Sequence, residues 1–65
     1  MATIEDFKYL VNKTLDDAKK DIPNGYSIFV VVEDGRSFYR TMEYDPYRIC
    51  VIVKNGFIIK IDSLN

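Results

Sequence analysis

The sequence predicts one small α+β domain, and three observations indicate it. The chain has 65 residues, enough for a single hydrophobic core, because a domain of this size buries only about 60% of its unfolded surface. Hydrophobic residues make up 48% of the chain and charged residues 29%, as in ordinary globular proteins. One helix-like segment is followed by three apolar runs that are typical of strands. We therefore expect a single domain over residues 1–65.

The helix is predicted in the segment NKTLDDAKKDI. Thr14 is its N-cap, and Asp17 three residues later gives a weak capping-box pattern. Leu15, Ala18 and Ile22 recur at helical spacing and form an apolar stripe, and the Pro-Asn-Gly that follows ends the helix. Three further apolar residues precede the helix and are expected to pack on the same core: Phe7, Leu10 and Val11.

The strands are predicted from apolar runs rich in β-branched and aromatic residues. The first covers residues 27–32, and the other two, residues 49–53 and 57–61, flank Asn55-Gly56. Asn-Gly between apolar runs is the strongest short-range hairpin signal, so these two strands should pair antiparallel.

The middle of the chain allows two arrangements. Asp34-Gly35 is a turn dipeptide, so residues 37–40 can return as a strand of a second hairpin. Alternatively, the strand at residues 27–32 lies parallel to the strand at residues 49–53, with a long crossover between them. Pattern alone leaves both arrangements open.

The composition argues against nucleic acid and membranes as partners. Nine basic residues against ten acidic ones give a formal net charge of -1, so the positive field that displaces counterions from nucleic acid is missing. No apolar run approaches the roughly 20 residues of a membrane span, and the first residues lack the basic region of a signal peptide. We expect a soluble monomer, whose compartment stays open between the cytoplasm and export by an unrecognised route.

The sequence also offers no catalytic or metal-binding constellation. It contains no histidine, and no nucleophilic side chain stands beside a plausible base. The acids Asp16, Asp17 and Asp21 lie next to lysines at helical spacing, which is typical of a solvated helix face and not of a metal site. We therefore expect no enzymatic activity, no cofactor and no metal.

Four sequence blocks occur in the order found in a known family. They are LVNKTLDDAKKDI, then TMEY, then Arg48 four residues later, and then VIVKNGFIIKI. Together they resemble the potato inhibitor I family of serine protease inhibitors, and the likeness covers residues 7–61. The resemblance implies an α+β fold with a single helix packed on a small mixed β-sheet and a long exposed protease-binding loop between two parallel strands. It thus favours the crossover over a full hairpin at Asp34-Gly35.

The resemblance also assigns roles within and just after the segment YRTMEYDPYR. It implies a loop presented to a serine protease like a substrate, with Met42 as primary specificity residue and Met42–Glu43 as the reactive bond. Thr41 and Glu43 match positions whose side chains bond to arginines rising from the sheet, and Arg48 matches the first of these arginines. Cys50 stands where the second is expected, so one support is replaced and Cys50→Arg is expected to strengthen inhibition. The remaining residues assigned to the loop and its protease contact are Tyr39, Arg40, Tyr44 and Asp45.

The residue types suit these roles. An arginine offers several donors in a planar fork to a carboxylate and a hydroxyl, and Pro46 fixes one backbone angle and so reduces the number of loop conformers. Met42 is apolar, unbranched and adaptable, and therefore fits the hydrophobic specificity pocket of a subtilisin-like or chymotrypsin-like protease. The other hypothesis is a non-inhibitory protein-interaction module built on the same scaffold.

Overall fold

The computed structural model describes residues 2–38 and 45–64, and these form two helices and a four-stranded mixed sheet. In chain order the elements are a 3-10 helix at Ile4–Leu10, α1 at Leu15–Asp21, β1 at Ser27–Glu33, β2 at Arg36–Ser37, β3 at Arg48–Lys54 and β4 at Phe57–Leu64. The predicted α+β class is confirmed. Neither helix in these two ranges is long and apolar enough to cross a membrane.

The 3-10 helix before α1 contradicts the prediction of a single helix. Its apolar residues Ile4, Phe7 and Leu10 recur at every third position, which places them on one face of a helix with three residues per turn. Phe7 and Leu10 are buried in the core, as predicted. At the start of this helix the N–H of Thr3 donates to Oδ2 of Asp6 at 2.9 Å. The strict three-residue spacing is the sequence signal for this element.

The helix α1 lies where the sequence predicts it. The N–H of Asp17 donates to Oγ1 of Thr14 at 3.2 Å, which satisfies one of the donors left unpaired in a first helical turn. Ala18 is fully buried, and Leu15 and Ile22 pack half-buried against the core. The predicted cap and apolar stripe are confirmed.

The turn between the two helices is paired with β4. The carbonyl of Lys13 accepts from the N–H of Ile58 at 2.9 Å, and the N–H of Asn12 donates to the carbonyl of Ile58 at 2.7 Å. Nζ of Lys13 lies 2.8 Å from Oδ2 of Asp21, and the hydrogen bond and charge of this carboxylate raise the pKa of Lys13. The helices are thus attached to an outer strand of the sheet.

The sheet has the strand order β2-β1-β3-β4. β1 and β3 run parallel, from Ser27 opposite Arg48 to Glu33 opposite Val53, and β4 pairs antiparallel with β3. The turn between β3 and β4 has φ values of 53° at Asn55 and 82° at Gly56, positive at both positions as the favoured hairpin turn requires. The predicted hairpin is confirmed.

A second, very short hairpin follows β1. Its turn residues Asp34 and Gly35 also have positive φ, 50° and 84°, and β2 pairs antiparallel with the end of β1, with Glu33 opposite Arg36. β2 lies on one side of β1 and β3 on the other, so the hairpin and the parallel pairing coexist. The two arrangements left open by the sequence are therefore not exclusive. Residues 39 and 40 of the predicted returning strand lie outside the described residues.

The two faces of the sheet differ. The face towards the helices contributes to the buried core, which consists of Phe7, Leu10, Ala18, Ile49, Val51, Val53, Ile58 and Ile61, with Val11 partly buried against it. Side chains alternate along a strand, so Arg48, Cys50 and Ile52 lie on the face opposite to Ile49 and Val51. Cys50 is fully buried and is separate from the helix-side core. The predicted loop supports Arg48 and Cys50 therefore share the face away from the helices.

Candidate functional site

The candidate site is the beginning of β3, which lies beside the beginning of β1. Of the predicted site residues, Asp45, Pro46, Arg48 and Cys50 are described. The others lie outside the described residues, and they are Tyr39, Arg40, Thr41, Met42, Glu43 and Tyr44. The predicted reactive bond is among them, and the described part of the site consists of the residues around the base of the predicted loop.

The chain enters β3 through a tight turn over residues 45–48. Oδ1 of Asp45 accepts from the N–H of Tyr47 at 2.9 Å, and the carbonyl of Asp45 accepts from the N–H of Arg48 at 3.1 Å. Aspartate at the first position and proline at the second are the residues this kind of turn prefers, because the carboxylate bonds to the backbone two residues on and proline presets φ. Asp45 and Pro46 therefore determine locally how the chain approaches the sheet.

Tyr47 attaches this turn to the rest of the molecule. Its carbonyl accepts from the N–H of Ser27 at 2.9 Å, and its ring meets the ring of Tyr26 edge-on, with centroids 5.3 Å apart. The Tyr26 ring in turn packs on the buried Phe7, with centroids 5.2 Å apart. Such aromatic pairs add about 0.5–1.5 kcal/mol beyond their buried area. Sequence reasoning missed Tyr26, because its contact with Tyr47 depends on the pairing of β1 with β3, which these two residues directly precede.

Arg48 contacts Phe29, an aromatic residue of β1. Its guanidinium carbon lies 5.5 Å from the centroid of the Phe29 ring, within the range of a cation–π interaction. In the parallel register Ser27 lies opposite Arg48 and Phe29 opposite Cys50, so Phe29 is the diagonal neighbour of Arg48. Sequence reasoning missed Phe29 for the same reason as Tyr26.

Cys50 lies close to Arg48 on β3, whereas Arg36 lies beside the far end of β1. Cys50 is two residues beyond Arg48 on the same face of β3, and its exposed fraction is 0%, so it fills space as a small apolar residue. Arg36 pairs with Glu33, at the opposite end of β1 from Ser27 and roughly 20 Å away along the strand. Within the described residues, Arg48 is therefore the arginine at the base of the predicted loop.

Both ends of the connection between β2 and β3 are hydrogen-bonded to β1. The N–H of Phe38 donates to the carbonyl of Val31 at 2.8 Å, and the carbonyl of Tyr47 accepts from Ser27. Because β2 and β3 lie on opposite sides of β1, the connection passes from one side of this strand to the other. The two attachment points on β1 are four residues apart, or roughly 13 Å.

The comparisons with known proteins add no relative. No protein-family model, no curated protein and no solved structure matches this chain. Within residues 2–38 and 45–64, no three acidic, histidine or cysteine side chains gather as metal ligands would. The likeness to the potato inhibitor I family rests on the sequence blocks and stays a prediction.

Proposed function

We propose that the protein inhibits serine proteases of the subtilisin-like or chymotrypsin-like class. It presents the connection between β2 and β3 as a substrate-like loop and offers the Met42–Glu43 bond to the protease. The observation that carries the proposal is the attachment of both ends of this connection to β1. A segment with two fixed ends has fewer conformers than a free peptide, so it loses less entropy when it binds.

The length of the connection supports this function. Phe38 and Tyr47 bond to opposite sides of β1 at positions four residues apart. The distance along β1 and the two strand spacings across it together separate Phe38 from Tyr47 by roughly 16 Å. The peptide steps between them span up to about 30 Å when extended. The surplus length allows the middle of the connection to stand away from the sheet and to enter the cleft of another protein.

An inhibitor of this kind also has to resist hydrolysis. After a protease attacks a free peptide, the leaving half diffuses away and the reaction is complete. Here the half that follows Met42 is held by the turn at Asp45 and by the bond from Ser27 to Tyr47. An amine kept close to the acyl-enzyme attacks it far more effectively than a free one, so the bond is resealed and the protease stays occupied.

We assign to Arg48 the support of the loop from the sheet. It is the first residue of β3, and it follows directly on the turn through which the connection reaches the sheet. Its planar guanidinium can donate to the Thr41 hydroxyl and the Glu43 carboxylate at the same time, and such charge-assisted bonds are stronger than neutral ones. These two residues flank Met42, so the support acts on both sides of the specificity residue.

Substituting Arg48 tests this function. We expect Arg48→Ala to raise the rate at which subtilisin hydrolyses the Met42–Glu43 bond by about 10- to 100-fold, because a hydrogen bond to a charged group contributes about 1.5–3 kcal/mol. The measurement follows the cleaved fraction over time by mass spectrometry, with inhibition constants determined in parallel. Urea denaturation checks that the variant is folded under the conditions of the assay.

Arg36→Ala is the matched control, because it removes the same type of side chain from β2, beside the opposite end of β1. We expect this variant to inhibit subtilisin and to be hydrolysed like the parent protein. If Arg48→Ala and Arg36→Ala behave alike, Arg48 does not support the loop. If the parent protein is itself cleaved rapidly without inhibiting, the proposed function is wrong and the result supports the alternative of a non-inhibitory interaction module.

A further inference from the structure

We propose that Phe29 is a positioning residue of the loop: its ring holds the Arg48 guanidinium in place, and this contact substitutes for the second arginine that position 50 lacks. The role presupposes the inhibitory function proposed above. It goes beyond that function because it assigns the rigidity of the loop to an aromatic residue on the neighbouring strand.

The geometry of the two strands supports this role. Phe29 lies on β1 and Arg48 on β3, and the parallel register makes them diagonal neighbours on the face away from the helices. The guanidinium carbon is 5.5 Å from the ring centroid, and Phe29 is itself half-buried. A half-buried ring on a paired strand has less freedom to move than an exposed ring, so a long side chain can pack against it in a defined position.

Arginine gains from such a surface more than most side chains. Its long side chain has many rotamers, and fixing it during binding has a large entropic cost. Contact with an aromatic ring fixes part of the side chain before binding. An arginine that stacks by the face of its guanidinium keeps the N–H donors at the edge available to the loop.

Cys50 completes the arrangement. It lies opposite Phe29 in the register and is fully buried, so a small apolar residue packs where the family resemblance implies a second arginine. A second guanidinium at position 50 would lie opposite the same ring and would compete with Arg48 for it. Within the described residues, one arginine and its aromatic neighbour therefore lie at the base of the predicted loop, where the family resemblance implies two arginines.

The test compares Phe29→Leu with Phe29→Tyr. Leucine keeps an apolar side chain but removes the aromatic face, whereas tyrosine keeps the face. We expect Phe29→Leu to be hydrolysed at Met42–Glu43 by subtilisin about 2- to 20-fold faster than the parent protein, and Phe29→Tyr to be hydrolysed at the parent rate. In the Arg48→Ala background, Phe29→Leu should cause no further increase, because Phe29 acts through Arg48.

A second measurement is independent of inhibition. Side-chain ¹⁵N relaxation of Arg48 Nε in the free protein reports how tightly the guanidinium is held, and we expect its order parameter to fall in Phe29→Leu and to be kept in Phe29→Tyr. An unchanged order parameter in Phe29→Leu overturns the positioning role. So does an equal effect of Phe29→Leu with and without Arg48. If the parent protein does not inhibit, the proposed function is wrong. The support of an inhibitory loop by Phe29 is then also wrong, even if the order parameter of Arg48 responds as expected.

Discussion

Met42→Lys is expected to redirect inhibition from subtilisin-like and chymotrypsin-like proteases to trypsin-like proteases. The specificity pocket of trypsin carries a buried aspartate at its base, which a lysine pairs with and a methionine leaves unpaired. Leaving one partner of a buried ion pair alone costs about 3–5 kcal/mol. We therefore expect the variant to bind trypsin at least about 100-fold more tightly than the parent protein does.

Met42→Leu is the control for this change, because it keeps an apolar side chain of similar size. It should inhibit subtilisin and chymotrypsin about as the parent protein does and should not gain affinity for trypsin. The measurement is the inhibition constant of each variant against the three proteases. Equal constants for the lysine and leucine variants against trypsin would show that residue 42 does not enter the specificity pocket.

Cys50→Arg is expected to destabilise the protein. The family resemblance leads to a different expectation, namely that a second arginine would support the loop and strengthen inhibition. The side chain of Cys50 is however fully buried, and an arginine there has to be accommodated in a packed site with its charge withdrawn from water. We expect the free energy of unfolding to fall by roughly 2–4 kcal/mol, measured by urea denaturation.

Cys50→Ala is the matched control. It removes the thiol but introduces neither volume nor charge, and we expect it to lower the free energy of unfolding by roughly 1 kcal/mol. The inhibition of subtilisin by each variant is measured without urea, under conditions where both variants are folded. An arginine variant that is as stable as the parent and inhibits better would show that a second arginine at position 50 can support the loop, against the expectation from burial.

The elements that the sequence predicts correctly are those with local signals. The cap at Thr14 and the Asn55-Gly56 turn are each encoded within a few residues, so α1 and the hairpin of β3 and β4 could be identified without tertiary information. The 3-10 helix has a weaker signal, because its spacing of three at Ile4, Phe7 and Leu10 resembles an imperfect α-helical stripe.

The site depends on the register between strands that are far apart in the chain. Parallel pairing of β1 with β3 leaves no local signal: the sequence pattern allows it as one of two arrangements, and only the family resemblance favours it. The contacts of Tyr26 with Tyr47 and of Phe29 with Arg48 follow from that register. The register between β1 and β3 shifts between Val30 and Val32. The alternation of apolar and polar residues therefore does not predict how the two strands align.

The central claim is that the connection between β2 and β3 acts as a rigid substrate-like inhibitor of a serine protease. The most direct measurement is a titration of fixed amounts of subtilisin and chymotrypsin with increasing amounts of the protein, followed by mass spectrometry of the mixture. The proposal predicts that the activity of at least one protease falls linearly to near zero at one inhibitor per enzyme, while most of the protein is recovered intact. Undiminished activity of both proteases, with or without rapid cleavage after Met42, would contradict it.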